Sequence, residues 1–348
     1  MAALRISSAT AAAVAGVEAP TWFRRGMLLF SVWVVLGAYS DTWAHHHMRL
    51  TSVVTPFHAV VFGGLLCEAA FMAWALRRFG AAPHRLRRAV PRGYGLAVGG
   101  CVLAVAAAPL DLGWHVVFGI DQGFGSVTSP THIVIGCGTA LMTTGPLRSA
   151  LGGNARRATW AAVLSATLLW SMIFFFDEAT HPFLAQWASN YYPRMMLPDT
   201  AEQLGAIEIV LWAALIAACV LPLALRFDLP FGAFTVLLGA TGVLTTLIVA
   251  PQPIIIVGPA GGLVADELYR ILRPARTRPT QMRLFACLVP ASMTGLYFLI
   301  LGAAGGTWWP VNVWAGCVSA AGITGVLVSL LVLPGALHQA LPAASREL

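Results

Sequence analysis

Lysine is absent from this chain of 348 residues, and charged residues of both signs make up only 10% of it. A soluble domain carries about 25% charged residues, so this shortage excludes an ordinary water-soluble globular protein. Hydrophobic residues amount to 58% of the chain, and its mean hydropathy is +0.77. These values are typical of a protein that passes repeatedly through a lipid bilayer.

Cysteine pairs of the Cys-x-x-Cys type are also absent. The sequence therefore indicates neither a disulfide framework nor a cysteine-rich metal site. The cysteines all fall within apolar runs, where small polarizable side chains commonly pack between helices. They are Cys67, Cys101, Cys137, Cys219, Cys287 and Cys317.

Apolar runs long enough to cross about 30 Å of hydrocarbon recur along the whole chain. Backbone groups in lipid must find their hydrogen bonds within their own segment, so these runs predict an all-α, polytopic transmembrane helix bundle. We predict about ten spans, at 26–45, 54–77, 94–117, 130–148, 158–177, 203–225, 230–250, 252–269, 283–304 and 311–334.

The arginines predict the orientation of this bundle. All 21 basic residues are arginine, and in the predicted topology only Arg49 and Arg194 fall in loops on the side opposite the others. The positive-inside rule then places the arginine-rich loops and both termini in the cytoplasm, for a bacterial-type inner membrane. This topology accounts for the net charge of +7, so we predict no nucleic-acid partner.

Histidines cluster at the predicted outer ends of the spans, although histidine played no part in deriving the topology. Seven of the nine lie there: His45, His46, His47, His58, His115, His132 and His181. The first span ends with Asp41 and His45, four residues apart, and the second opens with Thr55-Pro56-Phe57-His58. Asp and His at this spacing share one helix face, and Ser/Thr-Pro-x-His is a helix-start signature.

The same arrangement recurs twice more. Asp111 and His115 end the third span and precede Ser129-Pro130-Thr131-His132, whereas Asp177 and His181 end the fifth span without a following Pro-x-His. Each of the first two hairpins predicts one carboxylate and two imidazoles, a ligand set suited to copper, zinc or iron. The candidate metal ligands are Asp41, His45, His58, Asp111, His115, His132, Asp177 and His181.

A purely structural polar network is the alternative interpretation of these residues. Against it, an aspartate near a helix C-terminus opposes the helix dipole, and ionisable groups near lipid are costly unless they are paired or functional. Two deeper acids fit a proton relay, a polar partner or a further ligand equally well. The additional candidates are His46, His47, Asp121 and Glu178, together with the deeper Glu68 and Glu208.

The motif Asp111-x-x-Trp114-His115, followed by Asp121 and Ser129-Pro130-x-His132, resembles a copper-site motif in a membrane subunit of the particulate methane and ammonia monooxygenases. Asp41-x-Trp43-x-His45 with Pro56-x-His58 is similar to a second site of that family, with Asp in place of Asn. The resemblance is distant and covers about 41–58 and 111–132, with the two motifs in the opposite chain order. It implies one copper site at Asp111, His115 and His132, and a neighbouring one at Asp41, His45 and His58.

These patterns divide the chain into three regions. We expect 1–25 to be a flexible cytoplasmic tail, 26–226 to be the metal-site bundle of spans one to six, and 227–348 to hold the scaffold spans seven to ten and a short cytoplasmic tail. In the scaffold, Gly258–Gly262 and Gly302–Gly306 are spaced for close helix approach.

Three functions remain open from the sequence. The first is a metal-dependent membrane oxidase or monooxygenase component acting on a small apolar substrate, with copper at an outward-facing site and zinc or iron as alternatives. The second is storage, delivery or transport of metal, and the third is a scaffold subunit without metal. The lipid bilayer is the expected partner, and other membrane subunits or further copies of the chain are compatible with each function.

Overall fold

The computed structural model describes residues 18–49, 52, 54–80, 89–120, 125–190, 197–249 and 253–333. The described residues are almost entirely helical, with two isolated β-bridges. The helices are α1 (Thr21–His47), α2 (Pro56–Arg78), α3 (Gly95–Phe118), α4 (Gly125–Thr128), α5 (Pro130–Thr143), α6 (Gly145–Leu151), α7 (Trp160–Phe176), α8 (Pro182–Ala185), α9 (Pro198–Arg226), α10 (Ala233–Val249), α11 (Val257–Leu272), α12 (Pro279–Ala304) and α13 (Val311–Val332). Short 3-10 helices cover Glu178–Thr180 and Pro253–Ile256.

Six of these helices, α1, α2, α3, α9, α12 and α13, are long and apolar enough to cross a bilayer. The chain is therefore a multi-pass membrane protein whose helices contact lipid. Large apolar side chains along them are open to the surroundings, as expected for faces that meet acyl chains. Examples are Leu29, Val102, Leu299 and Leu331, which are 67%, 66%, 67% and 87% exposed.

The remaining four predicted spans coincide with shorter helices. The segment 130–148 is interrupted between Thr143 and Gly145, where α5 gives way to α6. Helices α7 and α10 each have 17 residues and α11 has 16. At 1.5 Å per residue such helices reach about 25 Å, less than the hydrocarbon thickness of about 30 Å. The number of ten spans and the cytoplasmic termini therefore stay predictions.

The described helices divide into two compact units, with the boundary between Phe176 and Asp177. In the first unit, α1 packs against α2 and α3 packs against α5. Aromatic and methionine side chains fill the space between them, among them Phe23, Met27, Met72, Tyr94 and Met142. This packing brings the ends of α1 and α3 next to the starts of α2 and α5, which is where the histidines lie. The functional division predicted at 226–227 stays a prediction.

Glycine sets the closest helix contacts of the second unit. Gly258 and Gly262 on α11 face the backbone of α10, where an added Cβ would come within 2.9 Å of the Leu238 carbonyl and 2.6 Å of the Phe234 carbonyl. The predicted close approach at this pair is confirmed. The prediction for Gly302–Gly306 is wrong, because no atom of the described residues lies within 4 Å of a Cβ on Gly302, and Gly306 follows the end of α12 with φ +94°.

Gly325 offers a test of the packing between α12 and α13. A Cβ at this position would lie 1.8 Å from the Ala286 carbonyl oxygen, so Gly325→Ala must push the two helices apart. Overpacking of this kind costs about 1–3 kcal/mol, and we expect a lower midpoint of thermal unfolding in detergent. Gly316→Ala on the same helix is the control, because its Cβ has no neighbour within 4 Å in the part of the chain that the structure describes. Equal midpoints for the two variants would contradict the α12–α13 packing.

Candidate metal centre

The first group of candidate ligands joins the end of α1 to the start of α2. Thr55 caps α2 by accepting a hydrogen bond from the His58 backbone N–H at 3.0 Å, with Pro56 at the first helical position. This cap, expected from the Thr-Pro-x-His signature, turns His58 towards α1. The Nε2 atoms of His45 and His58 lie 3.4 Å apart, and they lie 3.7 Å and 3.5 Å from Oδ2 of Asp41.

These three distances match the dimensions of a metal site. In a triangle with sides of 3.4, 3.5 and 3.7 Å, the point equidistant from the corners lies about 2.0 Å from each. Zinc–nitrogen and zinc–oxygen bonds measure about 2.0–2.2 Å, and catalytic sites with three protein ligands keep a fourth position open. His45 and His58 are each 4% exposed, so protein surrounds the two imidazoles. Asp41, His45 and His58 could therefore hold one metal ion.

The second group repeats the arrangement between α3 and α5. Ser129 caps α5 by accepting from the His132 backbone N–H at 3.3 Å. Asp111 is 1% exposed; its Oδ2 lies 3.6 Å from His115 Nε2 and its Oδ1 lies 3.2 Å from His132 Nε2. One ligand atom of each residue falls within 4.8 Å of the others, so this group could also hold a metal ion.

The hydrogen bond of His115 favours a cation at this second group. Its Nδ1 lies 3.1 Å from the Gly119 carbonyl oxygen, which can only accept, so Nδ1 carries the proton. In the neutral ring Nε2 is then an acceptor, and it faces the acceptor oxygen of Asp111 without a hydrogen-bond partner among the described residues. Two acceptors stay this close when a metal ion or a proton lies between them. Metal-bound histidines usually donate their other ring N–H to a carbonyl or carboxylate in this way.

Thr131 and Gly119 complete this group, and neither was among the candidates from the sequence. The Thr131 hydroxyl donates to Asp111 Oδ1 at 2.6 Å and so holds the carboxylate in place. Gly119 ends α3 with φ +84°, a conformation that glycine adopts readily and that turns its carbonyl back towards His115. The signal for Thr131 was present as the third position of Ser129-Pro130-Thr131-His132, where a hydroxyl precedes the histidine.

The two groups adjoin each other in the first unit. The imidazole rings of His58 and His115 lie 6.1 Å apart between centroids, between the pairs His45–His58 at 5.5 Å and His115–His132 at 5.3 Å. The four rings thus form one row that connects the two aspartates. Ions bound in the two groups would share a single buried polar region.

The third motif folds differently. Helix α7 ends at Phe176, so Asp177 and His181 do not share a helix face; a 3-10 turn separates them, and Thr180 donates a hydrogen bond to Asp177. Pro182 disfavours helical backbone at the preceding residue, which explains why the helix does not continue through His181. The predicted ligand roles of Asp177 and His181, and their convergence with the other motifs, stay predictions.

His181 has the geometry of a helix cap. Its Nδ1 accepts from the Phe183 backbone N–H at 3.2 Å, which leaves the ring proton on Nε2. Burial lowers the pKa of His181 to about 3, so the ring is neutral at physiological pH. Its ring packs edge-on against Trp212 with centroids 5.8 Å apart. These contacts account for a buried histidine in apolar surroundings without a metal.

The additional candidates take different places. His46 and His47 are exposed at the end of α1, and His47 stacks on Trp43 with ring centroids 4.8 Å apart. Glu68 is fully buried on α2 and accepts from the Ser31 hydroxyl at 2.7 Å, while Glu208 accepts from the Trp187 indole N–H at 2.6 Å.

Two further candidates belong to neither ligand group. Glu178 is buried in the 3-10 turn that follows α7. Asp121 lies outside the described residues.

An apolar cavity opens beside the first group. It has a volume of about 360 Å³ and lies between α2 and α3, with the His58 side chain on its wall. Phe62, Leu66, Ala108 and Leu112 line it further, and Leu66 and Leu112 are 59% and 51% exposed on the lipid-facing surface. Its size is at the lower end of ligand pockets, which measure about 300–1,000 Å³. An uncharged molecule dissolved in the bilayer could enter it and reach the imidazole.

Comparison with models of protein families, with curated proteins and with solved structures finds no match to this chain.

We expect the second group to lose its metal when either its carboxylate or one of its imidazoles is removed. Asp111→Ala removes the carboxylate and His132→Ala one imidazole, and a centre with two remaining ligands binds weakly. We expect each variant to lose the same metal equivalent, measured by mass spectrometry on detergent-purified protein. His46→Ala is the control, because His46 belongs to neither group. Full metal content in either variant would rule out this site.

Thr131→Val tests the support of the Asp111 carboxylate. Valine keeps the shape of threonine but cannot donate to Oδ1, and loss of such a supporting hydrogen bond typically weakens metal binding about 10–100-fold. Competition with a chelator of known affinity measures the effect. Thr131→Ser retains the hydroxyl and should retain most of the affinity. Unchanged metal affinity in the valine variant would show that Asp111 does not bind the metal through Oδ1, the oxygen that Thr131 holds in place.

Proposed function

We propose that this chain is a membrane metalloprotein whose paired Asp/His groups bind copper and oxidise a small apolar substrate, as a monooxygenase-like or oxidase component. The observation that carries the proposal is the triangle of Asp41, His45 and His58 with its equidistant point about 2.0 Å from each ligand atom. Nitrogen-rich sites of this composition suit copper, with zinc and iron as the alternatives. The resemblance of both motifs to copper-site motifs of the membrane monooxygenases supports copper over the others.

The proposed topology has ten spans, with both termini in the cytoplasm of a bacterial-type cell and the Asp/His groups at the periplasmic face of the inner membrane. The one-sided distribution of arginine supports it. Shorter helices such as α7 and α10 fit this topology because bilayers thin locally around short spans and interfacial residues extend their reach. An outward-facing centre would meet oxygen and periplasmic copper directly.

In this proposal, Asp41, His45 and His58 hold one ion and Asp111, His115 and His132 hold the other. Bound copper would supply the redox chemistry. The protein contributes orientation: the Gly119 carbonyl keeps the ligating lone pair of His115 on Nε2, and Thr131 fixes the Asp111 carboxylate. The cavity at His58 binds the substrate from the lipid and keeps bulk water away from it.

Copper storage or delivery is the second candidate. The exposed His46 and His47 directly follow His45, so an ion could pass between the buried group and a periplasmic partner through them. A delivery protein would release copper to an acceptor and would not need the apolar cavity.

Blocking the cavity separates the two candidates. Ala108→Phe fills the space beside His58 without removing a ligand, so copper content should stay equal to wild type while oxidation of a small hydrocarbon falls at least tenfold. Copper-reconstituted protein in lipid nanodiscs, supplied with oxygen and a reductant, provides the assay. Ala106→Phe is the control, because Ala106 is exposed on the same helix and does not line the cavity.

The outcomes have distinct meanings. Bound copper without any substrate oxidation in the wild type would favour delivery. If the protein holds no stoichiometric copper after reconstitution, the proposal that its metal is copper is wrong. Stoichiometric zinc instead would indicate a hydrolytic function.

A further inference from the structure

The second unit contains a cavity of about 540 Å³ whose lining combines apolar side chains with three arginines. Arg270, Arg273 and Arg278 line it, together with residues from the connection between α9 and α10. The cavity lies where one long apolar helix ends and another begins, since α9 ends at Arg226 and α12 begins at Pro279. It therefore opens at the edge of the hydrocarbon layer, where lipid headgroups lie.

Two of the three guanidinium groups are available to a ligand. Arg270 pairs with Glu267 at 2.7 Å and lies over the Phe231 ring at 6.0 Å. The side chains of Arg273 and Arg278 make no hydrogen bond, ion pair or ring contact with the described part of the chain. Both are held only through their backbone, by N–H bonds to the carbonyls of Tyr269 at 3.0 Å and Ala275 at 2.9 Å.

The carboxylates of the cavity do not neutralise these arginines. Asp266 is 3% exposed, and its oxygens accept from the Phe234 N–H at 3.1 Å and from the Thr235 N–H and hydroxyl at 2.9 and 2.7 Å. Its charge therefore faces the positive end of the α10 dipole. Asp228 is the other carboxylate on the lining, and it is exposed. With Arg270 paired to Glu267, the guanidinium groups of Arg273 and Arg278 thus face one available carboxylate, which leaves an excess of positive charge.

Exposed apolar side chains flank the charged groups. Phe231, on the lining, is 56% exposed, and Ile271, next to Arg270, is 70% exposed. A soluble phosphate compound would use the guanidinium groups and leave these side chains in contact with water. A phospholipid would cover both, with its headgroup on the arginines and its acyl chain along the apolar rim.

We propose that this cavity binds the phosphate of an anionic phospholipid through Arg273 and Arg278. Guanidinium groups bind phosphate with two parallel hydrogen bonds, and basic pockets between membrane helices are typical sites for anionic headgroups. The site is independent of the Asp/His groups and of any metal they hold.

Native mass spectrometry of the full chain in detergent tests the proposal, with dioleoyl phosphatidylglycerol or dioleoyl phosphatidylcholine added. We expect wild type to retain phosphatidylglycerol preferentially, and the double variant Arg273→Gln/Arg278→Gln to bind it at least tenfold more weakly. Arg276→Gln is the matched control: it removes one charge from the same connection but does not line the cavity, and it should bind as wild type does. The single variant Arg278→Gln should show an intermediate loss, which keeps the test valid if the double variant does not fold.

Three results would overturn the proposal. Equal binding by the double variant would place the lipid elsewhere, and an equal loss in Arg276→Gln would indicate general charge attraction. Displacement of phosphatidylglycerol by an equal concentration of soluble glycerol phosphate would identify a free phosphate compound as the ligand. Metal content, measured in the same samples, should be unchanged in all variants.

Discussion

In the first unit, buried carboxylate oxygens face buried imidazole nitrogens. The arrangement of the surrounding helices depends on this contact. Asp111 is 1% exposed and faces the Nε2 atom of His115, whose proton is held on the other nitrogen by the Gly119 carbonyl. Such an arrangement at the edge of lipid costs several kcal/mol unless a positive charge lies between the groups. The helices are placed to maintain it, because the caps of α2 and α5 point a histidine at each aspartate. One metal ion in each group could lie between its carboxylate and its imidazoles.

The caps also explain why the two groups have the same design. Ser129 and Thr55 each bond the backbone N–H of a histidine three residues later, with a proline between them. Proline fixes the backbone at the first helical turn, so the histidine direction is set before the rest of the helix packs. Rigid ligands reduce the free energy spent on ordering a site when an ion binds. The same local cap on two hairpins therefore gives the two Asp/His groups a similar geometry.

Local spacing predicted two of the three Asp/His pairs and two helix starts correctly. Asp41 with His45 and Asp111 with His115 could be assigned to one helix face, and the helix starts at Pro56 and Pro130 followed from their caps. The prediction failed for Asp177 and His181, which share no helix face because α7 ends at Phe176, and for the segment 130–148, which breaks near Gly145. Pro146 and Pro182 disfavour helical backbone at the residues before them, which accounts for both breaks, whereas hydropathy alone does not reveal them. Thr131 was missed since its role depends on Asp111 of α3, which lies 20 positions earlier in the chain.

The proximity of the two groups has a different origin, since it depends on how α2 packs against α3. His58 and His115 are 57 positions apart in the sequence, and no spacing rule connects them, yet their rings lie 6.1 Å apart. The same helix pair encloses the apolar cavity beside His58. One packing interface therefore determines both the separation of the two groups and the access of an apolar molecule to them. In the proposed function, changes at that interface should alter metal binding and substrate access together, whereas changes within the cavity alone should alter access only.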